Sequence, residues 1–111
     1  MKIDLIGFDA DDTLWHTEVH YIHAQQSLKR LLSDWGSPEE IDKILYKIEI
    51  NNLPRYGYGI KAFVLSMIEA AIHISGGEIR GAQIEQILGF GREMLKRRLF
   101  YVRMWRKPWN L

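Results

Sequence analysis

The stretch Ile3-Asp4-Leu5-Ile6-Gly7-Phe8-Asp9-Ala10-Asp11-Asp12-Thr13-Leu14 decides how the rest of the chain is read. Lys2 to Phe8 is mostly apolar, closer to a strand buried on both faces than to clean alternation. The loop that follows displays two carboxylates, Asp9 and Asp11, two positions apart. Residues so spaced in extended backbone point to one side. In parallel α/β sheets, ligands and chemistry gather at the carboxyl ends of strands, which is where Asp9 falls. One strand cannot stand alone in water. Ile3, Leu5, Ile6 and Phe8 each gain ~1.5–3 kcal/mol on full burial, and both strand edges need partners.

Outward from that stretch the pattern turns helical. Thr17 to Trp35 carries Val19, Ile22, Leu28, Leu31, Leu32 and Trp35 on one broad face, and Gly36 follows as a stop. Ser37, Pro38 and Glu40 form a capping-box start for a second helix. Its apolar face is Ile41, Ile44, Leu45 and Ile48, and Asn51, Asn52 and Pro54 are expected to end it. Arg55-Tyr56-Gly57-Tyr58-Gly59 reads as a loop. A third helix is predicted over Ile60 to Ile74, with Ile60, Phe63, Val64, Met67, Ile68, Ala71 and Ile72 turned inward and Gly76-Gly77 closing it. A fourth is predicted over Gly81 to Lys96, with Ile84, Ile87, Leu88, Met94 and Leu95 buried; Gly89 and Gly91 each weaken it by about 1 kcal/mol relative to Ala.

Composition bounds the function. A chain of 111 residues, 47% hydrophobic and 26% charged, suits one globular domain with a modest core. There is no cysteine, hence no disulfide framework and no thiolate metal site. No apolar run is long enough for a membrane span or a signal peptide, so a cytoplasmic protein without membrane partners is expected. The formal charge of +1 hides an asymmetry. Residues 97–111 hold five basic residues and no acid, which leaves ten basic against fourteen acidic residues, a charge of −4, over 1–96. Trp105 and Trp109 among the arginines could suggest nucleic acid, but the near-neutral total gives that little support, and no nucleic-acid partner is expected.

The acid loop has a definite chemical use. A carboxylate can attack phosphorus and form an aspartyl phosphate. A cation with oxygen ligands, such as Mg2+, offsets the repulsion between carboxylate and phosphate. A second acid can protonate the leaving oxygen and then activate water. The bland alternative is a solvated acidic turn. Asp-x-Asp by itself is a weak signal; the preceding strand, Thr13 and the helical segment beyond supply the context.

Phe8-Asp9-Ala10-Asp11-Asp12-Thr13-Leu14 resembles motif I of the haloacid dehalogenase-like (HAD) hydrolase superfamily. The resemblance implies an α/β protein with a Rossmann-like core and a helical cap, of which this chain alone is mostly α: one strand plus a four-helix cap. It implies that Asp9 is the nucleophile and a Mg2+ ligand. Asp11 would be the general acid/base, with its carbonyl on the metal, and Thr13 would help hold the loop around the substrate. The second Asp favours a phosphatase over a dehalogenase. Asp12 stands where glycine is commonest and adds charge near the site. Residues 1–14 would be the first strand and catalytic loop, 15–96 the cap, and 97–111 an atypical basic and aromatic tail. Tyr56 to Ile79 is similar to one branch of the superfamily, and Tyr56 and Tyr58 are candidate substrate contacts from a cap loop; a plain interhelix turn is the alternative.

The later family motifs, a phosphate-binding Ser or Thr, a Lys and an acid pair, are not found in the sequence. The tail can be spelled by codons that, one nucleotide out of register, encode Ala-Pro-Val-Leu and Asp-Val-Glu-Glu-Thr-Leu-Glu-Leu, and a frameshift near Lys96 is the expectation this raises. On that reading the chain is a Mg2+-dependent phosphatase of a small phosphate monoester, incomplete and inactive as 111 residues. The alternative is a non-catalytic helical module that self-associates as a homo-oligomer or binds a partner. His16, His20 and His23 fall at i, i+4 and i+7 and can share a helix face, but no acid or cysteine completes an evident metal site.

Overall fold

A computed structural model describes residues 19–106, with side chains described for 19–97. The expected strand over Lys2–Phe8 and the acid loop lie outside the described residues. The described residues form four helices joined by turns and short irregular loops: α1 (19–31), α2 (Pro38–Tyr56), α3 (Ile60–Ile74) and α4 (Gly81–Arg106). The helical part of the expected fold class is therefore present.

α1 buries Ala24 and Leu28, and the turn that follows it buries Leu32; Tyr21, Leu31 and Trp35 pack beside them. Ile22, expected inside, is 45% exposed. At 100° per residue it lies about 120° around the helix from Leu28, off the stripe that Ala24 and Leu28 define. Regular helix stops at 31 rather than Trp35. The amides of Ser33 and Trp35 bond three residues back, to Arg30 (3.3 Å) and Leu32 (2.9 Å), which tightens the chain into a turn.

α2 starts as its sequence predicts. The Glu40 amide donates to Ser37 Oγ (3.2 Å), and the Ser37 amide donates to Glu40 Oε1 (2.9 Å), with Pro38 in the first turn. Its end differs. The expected stop at Asn51, Asn52 and Pro54 is overrun, and the helix reaches Tyr56. Asn52 is held in helical conformation by tertiary bonds described below. Pro54 sits in the last turn, where losing one amide costs least. Gly57 closes the helix, its amide donating to the Leu53 carbonyl (2.8 Å).

α3 has the predicted bounds and is the central helix, packed against both α2 and α4. Phe63, Met67, Ala70 and Ala71 form its core face. Ile72, expected inside, is 46% exposed, about 140° around the helix from Met67. α4 begins with the Arg80 amide donating to Gln83 Oε1 (2.9 Å). It does not stop at Lys96 but continues to Arg106, since no glycine or proline interrupts residues 92–107. Ile87 and Met94 are buried on it. Between them Gly91 brings the α4 backbone against Val64 of α3. The core thus joins Leu28 and Leu32, Ile41 and Leu45, Met67, and Ile87 from four helices.

A candidate binding cleft at the end of the second helix

Two glycines make the α2–α3 connection possible. Gly57 (φ 72°) and Gly59 (φ 123°) hold backbone angles that side-chain-bearing residues rarely adopt. They flank Tyr58, which is 88% exposed. Below this loop lies an open cleft of about 320 Å³ between α1, the last turns of α2 and the first turns of α3. Tyr58 lines it, with Gln25 from α1 and Glu49 and Asn52 from α2. Tyr21 and Phe63 form an apolar side, their rings edge-on with centroids 4.8 Å apart. Tyr56, the other expected tyrosine contact, is 47% exposed and is not part of the lining.

The polar wall has a defined hydrogen-bond order. Asn52 is only 2% exposed. Its Nδ2 donates to Ser66 Oγ (3.1 Å) and to Glu69 Oε1 (3.1 Å). An ionised carboxylate only accepts, so the Glu69 bond fixes which end of the Asn52 amide is nitrogen. Both amide hydrogens are then committed, and what Asn52 has left to offer is its carbonyl oxygen. Glu49 lies one turn earlier on the same helix and receives no hydrogen bond or ion pair from any described residue. Burial without compensation pushes its carboxyl above the usual carboxylate range.

Asp9, Asp11 and Thr13 lie outside the described residues, so of the expected site residues the structure places Tyr56 and Tyr58. His20 and His23 line a separate cavity of about 360 Å³ between α1 and α4, beside Glu93 and Arg97, which pair with each other at 3.0 Å; His16 lies outside the described residues. Among the described residues no group of three or more His, Cys, Asp or Glu side chains is placed to hold a metal ion. None of the described helices is long and apolar enough to cross a membrane.

Glu49, Asn52 and Ser66 do not stand out in the motif reading. A signal was present. Asn52 continues the Ile41, Leu45, Ile48 stripe at i+11, and Ser66 sits beside Met67 on the α3 core face. A polar residue at a core position must find a partner inside. Comparison of the chain with protein-family models found no match, and comparison with curated proteins found none.

Proposed function

We propose that this chain carries the phosphate-attacking strand and loop of a HAD-like phosphohydrolase together with a helical cap. The observation that carries the reading is the sequence Asp9-Ala10-Asp11-Asp12-Thr13, which follows an apolar stretch and precedes the described helices. An exposed Tyr58 on the Gly57–Gly59 loop is consistent with a cap-loop contact in this reading. In this reading an Asp9 carboxylate oxygen bonds to phosphorus as the ester P–O bond breaks. Asp11 gives its proton to the departing oxygen. It then takes a proton from the water that attacks phosphorus and frees Asp9. The donor set, the Asp9 carboxylate and the Asp11 carbonyl, is all hard oxygen and fits Mg2+. Mg2+ would supply positive charge against the phosphoryl oxygens.

The test is hydrolysis of p-nitrophenyl phosphate with Mg2+, comparing the parent with Asp9→Asn. Turnover abolished by Asp9→Asn at unchanged helix content supports the phosphatase. Absence of turnover in the parent, together with a stable oligomer, supports a helical binding module. Ile22, Leu65 and Ile72, exposed apolar side chains on α1 and α3, favour that second reading.

A further inference from the structure

The cleft below Tyr58 has a chemical bias that the phosphatase reading leaves unused. None of the described side chains lining it is cationic. It holds one carboxylate, Glu49, with no described partner, and one buried amide, Asn52, whose hydrogens are already donated elsewhere. Both groups therefore present acceptor oxygens. They stand at i and i+3 on α2, neighbours about 5–6 Å apart at Cβ, a spacing one ammonium group can bridge. The cleft also lies at the carbonyl end of α2, where helix dipoles favour positive charge. The opposite side is aromatic, and ring faces attract cations. Its volume of about 320 Å³ suits a small molecule.

We propose that this cleft binds a small primary ammonium compound. Its –NH3+ is received by the Glu49 carboxylate and the Asn52 carbonyl oxygen, and its carbon chain lies against Tyr21, Phe63 and Tyr58. Three N–H donors meet acceptors that are otherwise unmatched, and the cation offsets the solvation that the Glu49 carboxylate loses on burial. One feature opposes the assignment. The first turn of α3 opens on the same cleft with no side-chain cap, and free amides there favour an anion. The uncompensated Glu49 carboxylate repels such an anion.

The measurement is NMR titration of the isotope-labelled chain with n-butylamine at neutral pH. 1-Butanol is the uncharged counterpart, and inorganic phosphate is the competing anion. Butylammonium should shift the Gln25 and Asn52 side-chain amides and the Gly57 and Gly59 amides saturably. Glu49→Gln should weaken it by about tenfold or more, as should replacing amine by alcohol. Tyr58→Ala, at an exposed position that the fold does not need, should weaken it by about two- to fivefold. Equal response to amine and alcohol overturns the proposal, as does unchanged affinity in folded Glu49→Gln or shifts caused by phosphate alone. No phosphoryl transfer enters the readout, so its failure leaves the Asp9 reading standing, and failure of the Asp9 assay leaves the cleft.

Discussion

Gly89 and Gly91 lie two residues apart in α4, and alanine should affect them in opposite directions. Within a helix, Gly→Ala gains about 0.5–1 kcal/mol from lower backbone freedom in the unfolded chain. At Gly89 a new Cβ meets nothing within 4 Å, so Gly89→Ala should realise that gain. At Gly91 the new Cβ falls inside hard contact with Val64 Cγ2, with Val64 Cβ at 3.5 Å and Cγ1 at 3.7 Å. Val64 is β-branched and helical, so one χ1 well dominates and the methyl cannot swing away cheaply. Overpacking of this kind costs about 1–3 kcal/mol. The propensity gains cancel between the two variants, so the difference between them isolates the clash, again about 1–3 kcal/mol. For a domain of this size each kcal/mol moves the melting midpoint by about 4–8 °C. Urea and thermal unfolding of both variants, followed by circular dichroism, measures the difference. Val64→Ala combined with Gly91→Ala should recover most of the loss in a double-mutant cycle. Equal midpoints for Gly89→Ala and Gly91→Ala, or no coupling to Val64, would refute the close approach of α3 and α4.

Asn52→Ala should cost about 1–3 kcal/mol in urea unfolding, because it removes two hydrogen bonds and leaves the buried Ser66 hydroxyl without its donor; a loss below a few tenths would show that the buried network contributes nothing. Ser37→Ala should cost about 1 kcal/mol through the lost cap of α2, whereas Ser33→Ala, at an exposed site in the preceding turn, should be close to neutral. Glu49 gives a pH dependence of known sign. Its folded pKa is raised, so its favourable contribution is present below the ordinary carboxylate pKa and declines as pH rises through the raised value. The parent should therefore lose stability relative to Glu49→Gln over that interval, and parallel pH profiles for the two chains would show that Glu49 is solvated like a surface acid.

Several features were legible because they depend on near neighbours. The capping box at Ser37 and Glu40 is a four-residue device, and its two hydrogen bonds form as the sequence predicts. α3 has the predicted bounds because Gly59 precedes it and Ser75-Gly76 follows it, and a strong 3.6-residue period lies between. Ile22 and Ile72 were misjudged for a different reason. A wide apolar arc does not say which part of it meets another helix. The end of α2 was misjudged because Asn51-Asn52 and Pro54 are local stop signals, and bonds from Asn52 to α3 outweigh them.

Sequence by itself determined that this chain presents two carboxylates after an apolar stretch and then folds into amphipathic helices. Charge, capping and periodicity are properties of residues a few positions apart. Only tertiary structure decided that Gly91 is a contact and Gly89 is open, that Asn52 is a buried donor to Ser66 and Glu69 rather than a helix terminator, and that Gln25, Glu49 and Tyr58 face one cleft. Those outcomes depend on how α1 to α4 meet, and residues far apart in the chain acquire a common environment only once the helices are packed.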